Sequence, residues 1–184
     1  MRRRVLVPIA DGSEELEAIG IIDTLRRAGV EVTVASVDDL QITASRDTKI
    51  TADNLISECS KLEYDLIVLP GGLPGAEHLR DNPILTEMLI SQVEAGKYYA
   101  AICASPVVVL QHHGLLKNKF STAHPAVASQ LINKEKMQEK VVVDGNCITS
   151  QGPGTVLLFS LKLIELLFDR PRAEKIAKAM LVEF

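Results

Sequence analysis

The sequence lacks most of the features that would assign it quickly. It has three cysteines, Cys59, Cys103 and Cys147, too far apart for a disulfide framework or a CxxC redox or zinc pattern. That usage fits a reducing compartment, and a cytoplasmic location is expected. Four histidines, His78, His112, His113 and His124, show no HExxH-like spacing. The adjacent pair would leave a helix in different directions, so no metal is expected. There is no block of Lys and Arg, and the formal net charge is -4, which argues against nucleic acid as the main partner. No window approaches a membrane span. The apolar run 5–10 that follows Met1-Arg2-Arg3-Arg4 ends at Asp11-Gly12, well short of a signal-peptide core with a cleavage site. Neither the GxxxxGK[ST] nor the GxGxxG phosphate pattern occurs, and no internal repeat or low-complexity tract is visible.

What is present points to one compact domain over residues 1–184, since 47% of the chain is hydrophobic and one core suits that length. Residues 4–10 are β-rich and apolar without polar alternation, as expected of a parallel strand buried on both faces, and residues 30–37, 64–69 and 98–102 read as further strands. Helical spacing is predicted from Leu16 to a stop at Gly29, and over 83–96, 104–113, 156–168 and 172–182. Strands and helices alternate, so the class is α/β with a mostly parallel central sheet. Residues 38–54 suggest a decorating hairpin, residues 120–125 a short strand ending in His124, and Asp144-Gly145 the turn of a second hairpin.

The stretch Tyr98-Tyr99-Ala100-Ala101-Ile102-Cys103-Ala104-Ser105-Pro106 reads as strand, sharp turn and helix, with Cys103 at the corner. A nucleophile elbow has this form, and a thiol placed there is expected to ionise readily. Cys103 as one more small buried hydrophobe is the plain alternative. Pro70-Gly71-Gly72-Leu73-Pro74-Gly75 ends the strand before it. Its glycines leave N–H groups open for an oxyanion, although a simple strand-end turn accounts for them equally. Glu14, Glu15 and Glu17 crowd the first turn of the first helix, where acids complement the helix dipole. Glu17 also falls near the end of strand one, where an α/β sheet collects ligands. His124, fixed by Pro125, suits a structural or a catalytic role. Gly152-Pro153-Gly154 echoes the earlier glycine loop and could face the same cleft.

Taken together, Gly12-Ser13-Glu14-Glu15-Leu16-Glu17, Arg26-Arg27-Ala28-Gly29, Leu69-Pro70-Gly71-Gly72, Ala100-Ala101-Ile102-Cys103-Ala104, Ala123-His124-Pro125 and Gly152-Pro153-Gly154-Thr155 resemble the DJ-1/ThiJ/PfpI superfamily, within it the DJ-1 and YajL branch. The resemblance runs from Arg4 to Val182. It implies a flavodoxin-like three-layer α/β/α sandwich that forms a homodimer and needs no cofactor. It also implies Cys103 as nucleophile, Glu17 as a protonated partner of its sulfur and His124 as the nearby histidine. Gly71, Gly72 and the Ala104 N–H would lie beside the sulfur. Arg27 would stand at the dimer interface, Arg46 would reach across from the partner, and Pro153 would support the pocket. Ser105 departs from the glycine or alanine common after Cys-Ala and is expected to narrow or polarise the pocket floor. Ala104 stands where the protease-like branch has histidine, which weakens a peptidase or amidase reading.

The activity implied is a glyoxalase or protein deglycase acting on small α-oxoaldehydes such as methylglyoxal and glyoxal, and on their early adducts. A redox-sensing chaperone working through Cys103 oxidation is the rival.

Overall fold

The computed structural model describes residues 3–184; the first two residues of the basic start, Met1 and Arg2, lie outside the described residues. Strand β1 (Arg4–Ile9) leads into helix α1 (Glu15–Arg27) and strand β2 (Glu31–Ser36). Glu14 caps α1, its side chain accepting from Glu17 N, and Gly29 lies just beyond its end at φ +81°. The hairpin expected over 38–54 is strands β3 (Gln41–Thr43) and β4 (Lys49–Thr51), an antiparallel pair apart from the main sheet. The chain continues through β5 (Asn54–Leu55), α2 (Ile56–Cys59), β6 (Leu66–Leu69), α3 (Gly75–Asp81), α4 (Pro83–Glu94) and β7 (Tyr98–Ile102). After a π-helical segment (Pro106–Gln111) come α5 (Pro125–Ala128), the hairpin β8 (Val141–Asp144) and β9 (Cys147–Ser150), then α6 (Val156–Leu167) and α7 (Arg170–Ala179).

Among the described residues, seven strands form the main sheet in the order β5-β2-β1-β6-β7-β9-β8, with only the β8–β9 pair antiparallel. Along β1, Val5, Val7 and Ile9 join the core beneath α1, α6 and α7. Leu6 joins the opposite core with Leu79, Leu85 and Leu89 of α3 and α4. Both faces of the strand are thus dry, which is why it carries no polar alternation. The result is the flavodoxin-like three-layer sandwich. From β1 the chain turns first to β2 and later to β6 on the other side. The crevice beyond β1 and β6 is therefore the topological switch point where such sheets bind ligands.

Three local expectations need correction. Residues 120–124 form no strand, because their N–H groups are taken by other acceptors: Phe120 N donates to Asp144 Oδ2, Thr122 N to Thr149 Oγ1 and His124 N to the Cys103 carbonyl. The helix after Cys103 is wound as a π-helix over Pro106–Gln111, with no N–H at Pro106 to donate. The last helix begins at Arg170, two residues early, because the Asp169 side chain accepts from Arg172 N at 2.9 Å. Helix α3 follows a loop dense in glycine and proline, which hides its start in the sequence.

Candidate active site

Four strand ends bring the candidate residues together. Beyond β1, the first turn of α1 points Glu17 inward, and the residue is fully buried. Beyond β6, Gly71 N donates to Glu17 Oε2 at 2.7 Å while the Gly71 carbonyl accepts from Glu14 N at 2.9 Å. Beyond β7, Cys103 takes φ +66°, a left-handed conformation costly for a residue with a side chain and familiar at functional turns. Its backbone is pinned on both sides: Cys103 N donates to the Ser150 carbonyl at 3.1 Å, and its own carbonyl accepts from His124 N at 2.8 Å. Beyond β9 lies Gly152, where an added Cβ would stand 3.2 Å from His124 Cδ2 and 3.9 Å from Glu17 Oε1.

Space decides the glycines here. An alanine Cβ at Gly71 would fall 2.6 Å from Cys103 Cβ and 2.9 Å from Glu17 Oε2. At Gly72 it would fall 2.4 Å from the Gly12 carbonyl, on a backbone of φ +90°. Gly71→Ala is therefore expected to destabilise the fold by about 1–3 kcal/mol through overpacking. Urea unfolding of the variant checks this, and an unchanged midpoint would show that the elbow and the loop can separate freely.

Burial pushes the Glu17 carboxyl up from its ordinary 4.5 to about 7, against the Gly71 N–H and a hydrogen bond from the Cys103 thiol, which favour the anion. Glu17 Oε1 is buried without a hydrogen-bond partner among the described residues. The thiol is pushed up to about 12, chiefly by burial and then by the Glu17 charge and hydrogen bond; N–H groups of Gly72 and Ala104 pull the other way. This corrects the expectation that turn geometry alone ionises Cys103. While Glu17 is charged the thiol keeps its proton. The two groups form one acid system that loses its first proton near neutrality, and a thiolate exists when the remaining proton sits on Glu17.

His124 is close but differently disposed from a triad histidine. Its Nδ1 accepts from Ala126 N at 3.2 Å, capping α5. That contact engages Nδ1 as an acceptor. Ser105 does not polarise the pocket floor as expected. Its fully buried hydroxyl turns away and donates to the Pro70 carbonyl at 2.5 Å. Arg27 Nε donates to Asp23 at 2.8 Å, about 15 Å along α1 from Glu17 at the helical rise per residue. The Arg46 guanidinium rests on the Ser45 carbonyl at 3.1 Å, and its backbone N–H on the Glu15 carboxylate. Within one chain neither arginine joins Glu17 and Cys103. Pro153 opens a short 3-10 turn beside Gly152. Sequence reading missed Pro70 and Ser150, whose contributions are backbone carbonyls and leave no side-chain signal. Cavities of about 420 and 450 Å³ flank α4, and neither is lined by Cys103, Glu17 or His124.

Fold and corner together define a flavodoxin-like protein with a cysteine at a strained strand-to-helix elbow. More particularly, the chain belongs to the DJ-1/PfpI family, whose model matches residues 3–166. It is 51% identical over 180 residues to Protein DJ-1 homolog B of Arabidopsis thaliana, covering 97% of this chain and 41% of that protein. The chain thus spans less than half the length of that relative. It is 32% identical over 178 residues to the glutathione-independent glyoxalase DJR-1.2 of Caenorhabditis elegans, covering 96% and 94% of the two chains. Among solved structures, oxidized Toxoplasma gondii DJ-1 superposes with a TM-score of 0.97 at 48% identity, covering 99% and 100%. No helix among the described residues is long and apolar enough to cross a membrane.

Proposed function

We propose that the protein is a cofactor-independent glyoxalase of the deglycase type, acting on small α-oxoaldehydes and their early adducts. The observation that carries this reading is the fully buried Glu17 carboxyl, held by the Gly71 N–H at 2.7 Å at a glycine that also abuts Cys103. The Cys103 sulfur attacks the aldehyde carbon of methylglyoxal, forming a C–S bond as the carbonyl electrons move to oxygen. The Gly72 and Ala104 N–H groups that face the sulfur are the donors that steady that oxyanion in this scheme, before it takes a proton to give a hemithioacetal. Glu17 then removes the proton from the former aldehyde carbon and returns one to the neighbouring carbon. The aldehyde carbon is oxidised to the acyl level, the ketone is reduced to the alcohol, and no outside electron carrier is required. Water hydrolyses the lactoyl thioester to lactate and the free thiol. The name of the nematode relative supports the substrate class. Lactate formed from methylglyoxal by the purified protein, with no added thiol, tests the proposal; a rate equal to buffer overturns it.

A second reading has an observation of its own, since a structural relative is described in its oxidized form. Here peroxide takes the Cys103 thiolate to sulfenate and then sulfinate, releasing water at each step, and the oxidised protein protects clients from aggregation. Intact-mass analysis after mild peroxide, together with aggregation suppression by Cys103→Ser, separates the two. Equal protection by the oxidised, reduced and mutant forms removes the sensor reading.

Homodimerisation is part of the proposal. Leu16 and Ile19 are 56% and 47% exposed on α1, on the same helical stripe as Asp23 and Arg27. Such a pair on a surface helix suits a second copy of the chain. Leu16→Glu combined with Ile19→Glu is expected to raise the dimer dissociation constant at least about tenfold, on the cost of burying charge in an apolar contact. Sedimentation at several concentrations reads this out, and an unaltered dimer would place the interface elsewhere.

A further inference from the structure

The loop from Pro70 to Gly75 is anchored firmly on one side and by little on the other. Toward α1, the Gly71 carbonyl accepts from Glu14 N at 2.9 Å and Gly71 N donates to Glu17 Oε2 at 2.7 Å. Toward the elbow, strand pairing between β6 and β7 stops at Leu69 and Ala101, and Pro70 has no N–H with which to extend it. One side-chain bond spans the remaining gap. Ser105 Oγ donates to the Pro70 carbonyl at 2.5 Å, with Ser105 fully buried. Among the described residues it is the hydrogen bond that joins this loop to the turn after Cys103, apart from the Gly72 N–H that meets the sulfur itself.

We propose that Ser105 is a positioning residue, whose hydroxyl sets the separation between loop and elbow and so holds the Gly72 amide against the Cys103 sulfur. It does not touch the reacting atoms. Its effect passes through Pro70, two residues before Gly72. A hydrogen bond to a thiolate favours the charged form, so a loop that drifts from the elbow leaves the thiol harder to ionise. The proposal rests on reading Cys103 as the reactive thiol, and it deepens the function proposed above by naming what tunes that thiol.

The test is the pH dependence of Cys103 alkylation by iodoacetamide, followed at the Cys103 peptide by mass spectrometry in wild type, Ser105→Ala and Ser105→Thr. Ser105→Ala should raise the midpoint by about one pH unit, which slows alkylation near pH 7 about tenfold. Ser105→Thr, which keeps the hydroxyl, should restore the wild-type midpoint. A residue that merely supports the fold would lower the melting temperature and leave the midpoint in place; that result overturns the proposal. Should Ser105→Ala fail to fold, Ser105→Thr decides, because a displaced midpoint with the hydroxyl retained is also fatal. Alkylation does not depend on turnover. A Ser105→Ala shift in a protein that forms no lactate would sink the glyoxalase reading alone, and normal turnover with an unmoved midpoint would sink the role of Ser105 alone.

Discussion

Cys103→Ser is expected to reduce lactate formation from methylglyoxal by at least about a thousandfold, the scale of loss on removing a catalytic nucleophile. The substitution is nearly isosteric, so the elbow, with its bonds from Cys103 N to Ser150 and from His124 N to the Cys103 carbonyl, should persist. What changes is acidity. A hydroxyl starts far above a thiol on the pH scale, and the surroundings add to the difficulty, since burial already holds the Cys103 thiol up at about 12 while Glu17 is charged. The N–H groups of Gly72 and Ala104 cannot offset so large a deficit. Lactate measured by chromatography, beside a melting curve showing the variant folded, checks the expectation. A folded variant retaining a tenth of wild-type activity would rule out covalent attack by Cys103.

The second large effect belongs to Glu17. Glu17→Gln keeps an oxygen for the Gly71 N–H but removes the proton that the carboxyl exchanges, and should cost about 10²–10⁴-fold in turnover, the range of a general acid or base. It should also reshape stability against pH. Glu17 binds its proton more tightly in the folded state, at about 7, than at its ordinary 4.5. Its contribution is therefore fully present below pH 4.5 and is lost as pH rises through 7, amounting to about 3 kcal/mol over the window. Wild type should lose stability from pH 5 to pH 8 while Glu17→Gln stays nearly level, with the curves meeting near pH 4. Urea unfolding at intervals across that range reads the slope. A wild type that gained stability with pH over this window would mean that Glu17 is stabilised as an anion, and the proton-shuttle role would fall with it.

Much of this architecture was legible before any coordinates. Residues 4–10 and 64–69 declared themselves as doubly buried strands because nothing polar interrupts them, and the glycine-rich turn after Leu69 and the corner at Cys103 announced themselves by composition. The order of Glu17, the Gly71-Gly72 loop, Cys103 and His124 along the chain was enough to mark a family resemblance. Residues 120–124 misled because their hydrogen bonds go to Asp144, Thr149 and Cys103, and partners so distant in sequence leave no local pattern. Helix α3 stayed hidden because the glycines and prolines before it read as loop.

The sequence by itself determined the alternation of strands and helices, the dry character of the sheet and the kinds of side chain available for chemistry, since these follow from local propensity and periodicity. Only the tertiary structure decided how those side chains behave. It buried Glu17 against Gly71 and Cys103 and so made carboxyl and thiol a single acid system. It gave the Nδ1 of His124 to a backbone amide, and it turned Ser105 away from the pocket toward Pro70. The physical reason is common to Glu17 and Ser105, whereas the His124 cap is a contact to the amide two residues further on. Protonation and side-chain direction depend on desolvation and on partners brought from other strands, and neither exists until the sheet has closed around them.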